Sequence, residues 1–280
     1  MSGGGARAVA FLRHHRPALV GTVLVALVLL TAAGGPAVIP HAPGDVFERF
    51  AEPGGSHPLG TDSQGYDLLA RMVYGARTTL VIAVASMTLS LVLGTLVGAV
   101  AGFAGGVADM LLMRGVDVAM SFPSFLLAMV TVAVLGPRLE NVIVAVGLVG
   151  APVFARQVRA EVLRVVSEEY VVAARSLGLP ATRVLFTHVL PNSLGPVIVL
   201  GTLGTGSAIL SVAGLNFLGL GGDPYRVPEW GLILTQGWNK RPDANLQVAV
   251  AGLAIFVTVL GFNLLGDGLK DELDPRTRRR

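Results

Sequence analysis

Charged residues interrupt this chain so rarely that the intervals between them define its elements. An apolar run from Pro17 to Ala33 lies between Arg16 and Asp45. Uncharged stretches then cover 31 residues from Thr78 to Ala108, 20 between Asp117 and Arg138, 15 between Glu140 and Arg156, 39 between Arg183 and Asp223, and 23 between Asp243 and Asp267. A helix that crosses a bilayer takes about 20 mostly apolar residues, so six intervals predict six spanning helices. The 15-residue interval is long enough if Arg156 and Arg159 extend their guanidinium groups to the interface while the helix continues. The first run, which ends in Ala32, Ala33 and Gly34, has the look of a secretory leader, but the five later spans favour an uncleaved first helix.

The predicted division is a cytoplasmic tail over residues 1–16, a first span over 17–35, an external segment over 36–77, a five-helix core over 78–267 and a basic tail over 268–280. Within the core, a cytoplasmic loop covers about 156–190 and a second external segment about 214–245. A cytoplasmic N-terminus places 14 of the 21 Lys and Arg residues inside, the sense required by the positive-inside rule, and six crossings return the C-terminus to the same side.

Composition excludes a soluble chain. Hydrophobic residues make up 52% and charged residues 14%, against about 25% charged in an ordinary soluble domain. The 36 glycines suit membrane helices, whereas 6% aromatics is too few for a barrel with aromatic girdles. The absence of cysteine removes disulfides, thiolate catalysis and cysteine metal sites. A net charge of +3 raises nucleic acid as a partner, but the basic residues flank apolar runs, so membrane lipid is the expected neighbour and nucleic acid is not.

Gly94, Gly98, Gly102 and Gly106 recur every four residues and predict a close-packing stripe on the second helix. Trp230, Trp238 and Tyr225, in the second external segment, read either as functional residues or as interface anchors. No Asp, Glu, Lys or Arg falls inside an interval, and His188 is the only His near a span, which disfavours ion-coupled transport by this chain alone. Lys240 follows Asn239 and Lys270 follows Leu269, so neither belongs to a P-loop. His14, His15, His41, His57 and His188 show no metal-ligand spacing, and no hydrolase or zinc-protease motif occurs. The expectation is a chain that is not an enzyme and carries no metal or cofactor.

The cytoplasmic loop, SEEYVVAARSLGLPATRVLFTHVLPN from Ser167 to Asn192, predicts a helical hairpin. Ser167 suits the cap of a helix whose first turn holds Glu168 and Glu169; Tyr170, Ala173, Ala174 and Leu177 share a face; Gly178 and Pro180 stop it. A second short helix over about Ala181–Leu190 is closed by Pro191. As a pattern alone this is either a docking element or an ordinary interfacial hairpin.

Ala173, Ala174, Gly178, Leu190 and Pro191 stand at the spacing of the EAA signature, so the loop resembles that of ABC importer permeases, with Val172 where the signature has Glu and His188 where it usually has Ile and the dipeptide and oligopeptide branch often has His. HPLGTDSQGYDLLARMVYGART from His57, SFPS from Ser121, LNFLGLGGDPYRVPEWG from Leu215 and FNLLGDGLKDELDPR from Phe262 are similar to segments of the C-type permease of the dipeptide, oligopeptide and nickel branch. The resemblance implies an all-α, type I ABC importer permease fold with six membrane helices and an EAA-type coupling loop. It also implies a B-type permease as heterodimer partner, two ABC ATPase subunits that bind ATP and Mg, an external substrate-binding protein, and a prokaryotic plasma membrane location. Cargo is then expected to be di- or oligopeptide, with nickel or another metal chelate as the alternative and a stand-alone secondary transporter or channel as a more distant one.

Overall fold

The computed structural model describes residues 16–223, 225–240 and 242–273. Residues 1–15 of the predicted N-terminal tail, with His14 and His15, and residues 274–280 of the predicted basic tail lie outside these. Among the described residues the regular structure is helical: α1 (Arg16–Val38), α2 (Leu68–Ala104), α3 (Gly106–Met120), α4 (Ser124–Leu135), α5 (Leu139–Val166), α6 (Glu169–Ser176), α7 (Ala181–Phe217), α8 (Trp230–Asn239) and α9 (Asn245–Leu273). Five of these helices are long and apolar enough to cross a membrane, and a sixth crossing arises if α3 and α4 count as one bent span.

Three elements differ from the charge-interval reading. Helix α2 starts at Leu68, ten residues before Thr78, because the Asp67 carboxylate caps it and accepts from the Ala70 N–H at 2.8 Å. Arg71 thereby enters the helix, fully buried and paired with Asp62 at 3.0 Å. The third interval does not form one straight span: α3 and α4 meet at 88° around Ser121–Pro123. Pro123 lacks an N–H for the ladder and disfavours helical geometry at Phe122, so the helix cannot run through. The second external segment contains α8, which returns to the bundle and contacts α7 and α9.

Gly94, Gly98 and Gly102 bring α2 against α5. A Cβ at Gly98 would collide with the Ala155 carbonyl, and one at Gly102 would sit 2.9 Å from Val162. Gly106 does not extend this stripe. Helix α2 ends at Ala104, and Gly105 and Gly106 turn the chain at φ +65° and +54° with open space around them.

Two buried clusters hold the bundle. The larger joins α2, α4, α5, α7, α8 and α9 through residues such as Ala83, Val142, Ile209 and Trp230; the smaller gathers Val158, Val162, Val165, Val171, Ala174, Val184, Val189 and Val197 beneath the α6 hairpin.

Candidate coupling hairpin and translocation groove

Helix α5 ends at Val166, where the Ser167 hydroxyl donates to the Arg164 carbonyl at 2.7 Å. Ser167 therefore closes α5 and does not cap α6, whose N-cap position belongs to Glu168. The reason is continuity: after Pro152, α5 meets no further proline or glycine before Ser167. Arg164 pairs with Glu161 and Glu168 across this joint.

Helix α6 buries Val171 and Ala174 and exposes Tyr170, Val172, Ala173 and Leu177, so the expected shared face of Tyr170, Ala173, Ala174 and Leu177 is divided. Its end is a Schellman turn. Gly178, at φ +77°, donates to the Arg175 carbonyl at 3.0 Å, and Leu179 donates to that of Ala174 at 3.3 Å. Only Gly holds that φ without strain. Leu179 then packs on the smaller cluster, and the Arg175 guanidinium lies 5.0 Å from the Phe103 ring, which ties the hairpin to the end of α2.

Pro191 does not close the second helix. The chain runs from Ala181 to Phe217 through a π turn over Leu185–Val189, and Pro191 lies in the first turn after it. A proline there lacks the N–H that would reach Thr187, and the widened turn accommodates its ring. His188 sits in this π turn, half-buried, with its carbonyl accepting from Asn192 at 2.6 Å and its Nδ1 buried without a partner. Leu190 is half-buried against the smaller cluster. Thus Ala173, Gly178 and Pro191 lie on the exposed hairpin, while Ala174 is turned into the chain's own core.

Beside the hairpin, α3 is held to α5 by two ion pairs, Asp109 with Arg159 and Asp117 with Arg156, the latter at 2.7 Å.

Above this layer lies a cavity of 420 Å³ between α2, α4, α5, α7 and α9. Its walls are apolar residues such as Phe125, Val149, Phe154 and Leu203, with Ser90, Ser124, Gln157, Ser207, Ser211 and Asn263 as the polar groups and no charged residue.

The end of the bundle where α2 begins carries a polar network that the sequence does not reveal. Glu229 is 0% exposed; its carboxylate accepts from Thr79 at 3.0 Å, Asn216 at 2.8 Å and the Leu232 N–H at 3.0 Å. It caps α8 and fixes that helix to α2 and α7. Trp230 next to it is buried and donates to the Met72 carbonyl at 2.9 Å, so it is a core residue and not an interface anchor; Trp238 is exposed. The signal was Glu229 directly before the apolar run of Trp230, Leu232 and Ile233. His41, His57 and Asp67, far apart in sequence, also converge, with donor atoms within 4.8 Å of one another. Each is already engaged: His57 Nδ1 with Asp67 at 2.7 Å, His41 with the Ser56 carbonyl at 3.2 Å, and Asp67 with the α2 N-terminus.

Residues 94–279 match the family described as binding-protein-dependent transport system inner membrane component. The chain is 40% identical to the dipeptide transport system permease protein DppC of Alkalihalophilus pseudofirmus, over 95% of its own length and 88% of that protein. It is 42% identical to the DppC protein of Escherichia coli, over 96% and 92%. Identity to the glutathione transport system permease protein GsiD of Pectobacterium atrosepticum is 38%, over 96% and 89%.

Proposed function

The chain belongs to the binding-protein-dependent transport system inner membrane components, and on that premise we propose that it is the C-type permease subunit of a prokaryotic ATP-driven peptide importer. Membership implies ATPase and substrate-binding partners. In our reading the permease partner is a B-type subunit, two ATPases bind ATP and Mg below the membrane, and this chain hydrolyses nothing itself. The observation that carries the peptide assignment is near-full-length identity to proteins named for dipeptide and glutathione transport.

The division of labour follows from the chemistry present. The apolar, exposed side chains of Tyr170, Val172, Leu177 and Phe186 on the hairpin offer a surface for an ATPase groove, and Val172 makes that contact without the carboxylate of the EAA signature. Movement of the ATPase would pass through the buried side of the same hairpin, Val171 and Ala174, into α5 and α7. With N-terminus, hairpin and C-terminus cytoplasmic, α8 and the Glu229 network lie at the external side, where a binding protein delivers substrate.

The test is reconstitution of the four-subunit complex in liposomes with its binding protein. ATP-dependent uptake of a labelled dipeptide, absent when the ATPases are omitted, is the expected result. Uptake of a nickel chelate in place of the dipeptide would replace the cargo assignment and leave the importer assignment standing.

A further inference from the structure

The 420 Å³ cavity falls within the ~300–1,000 Å³ range of small-molecule sites, and its polar groups are placed unusually for a membrane bundle. Ser124, Ser207 and Asn263 are exposed along it, although they sit within α4, α7 and α9. Polar side chains at such depth face water or protein in preference to lipid. The cavity between α7, α8 and α9, bounded by residues such as Leu210, Phe217 and Phe256, offers no comparable side chains. Gln157 supplies the second observation: it lines the first cavity, and its Oε1 is buried with no hydrogen-bond partner. A buried acceptor without a donor is costly, so a ligand that brings an N–H is favoured there.

We propose that this groove is a substrate subsite of the permease, in which Gln157 Oε1 accepts a hydrogen bond from a main-chain N–H of a short peptide in transit. The inference rests on the peptide-import reading. Because no charged group lines the groove, the ligand's side chains are not selected by charge, and its termini find no permanent counter-charge to trap them. An uncharged wall with a few hydroxyl and amide groups binds weakly and releases readily, as a path requires. Ser124 and Ser207, on facing helices, give further hydrogen-bonding capacity that needs no particular side chain. Phe125, Phe154 and Leu203 supply the apolar contact.

The test uses the complete complex in liposomes, with subunit co-purification confirming assembly of each variant. Two substrates are compared, Ala-Ala and its analogue methylated at the peptide nitrogen, both supplied with saturating binding protein. Gln157→Leu is expected to lower Ala-Ala uptake by about ten-fold, the effect of one lost hydrogen bond to a buried group. Gln157→Glu, which retains the acceptor, is expected to recover most of it. For the methylated peptide, Gln157→Leu should make less than about a two-fold difference, since the donor is already gone. Ser207→Trp, which fills the groove from an exposed position, should block uptake of both. Wild-type Ala-Ala uptake that persists undiminished in Gln157→Leu and Ser207→Trp overturns the subsite alone. A wild-type complex that moves another solute but no peptide overturns the peptide reading, and this inference with it.

Discussion

Ala173 and Ala174 are neighbours with opposite environments, and their substitution separates docking from folding. Ala174 is 7% exposed among the valines under the hairpin, so Ala174→Trp overpacks the chain's own core, at a cost of about 1–3 kcal/mol. Its expected result is loss of membrane abundance and of thermal stability. Ala173 points outward, so Ala173→Trp should retain abundance and lose ATPase co-purification. Equal abundance of both variants would show that the division of α6 into two faces is wrong. Gly178→Val tests the turn that ends α6 after them: the left-handed φ costs a side chain roughly 1–2 kcal/mol, more when branched. A weaker ATPase interaction with the spans intact is the outcome expected from co-purification.

The Glu229 network allows a further test at this scale. Glu229→Ala leaves Thr79, Asn216 and the Leu232 N–H without their acceptor, and should destabilise the chain by about 3 kcal/mol or more, read as a lower thermal midpoint. Loop residues at the right spacing were legible in the sequence, because a Gly followed by Leu-Pro marks a stop whatever surrounds it. Glu229 was not legible. A rule that measures spans between charges assigns every carboxylate to an aqueous segment, and only tertiary structure brings Thr79 of α2 and Asn216 of α7 to a carboxylate that also caps its own helix.

At the level of elements, hydrophobic spacing located every long helix but misplaced several ends. The start of α2 was hidden because Arg71 and Arg77 looked like boundary residues; Asp67, a carboxylate one residue before the apolar run, was the available signal. The bend between α3 and α4 was carried by Pro123 inside SFPS, which an uncharged interval passes over. The glycine stripe shows the same limit. Its first three members face α5, whereas the fourth only shares their spacing, since the helix stops first. Gly98→Leu is therefore expected to separate α2 from α5 and prevent stable accumulation, while Gly106→Ala should cost only the roughly 1 kcal/mol of its positive φ. Membrane abundance and thermal unfolding of the two variants check the contrast.

For the whole molecule, orientation is the property on which the functional reading turns. The chain has no cysteine, so Cys at position 182, an exposed site on the hairpin, gives a clean readout. It should resist an impermeant thiol reagent in intact cells and react once the membrane is opened; labelling from outside would invert the proposed topology.

The bend between α3 and α4 also sets how this protein meets its lipid. Helix α4 has 12 residues, roughly 18 Å at 1.5 Å per residue, against a hydrocarbon core of about 30 Å. A segment that short cannot match the bilayer from side to side, so the acyl chains around it must shorten or part. The bilayer is then expected to thin beside α4, which helps to form the groove. A bilayer of longer acyl chains should therefore lower peptide uptake by the reconstituted complex, relative to one whose acyl chains match α4.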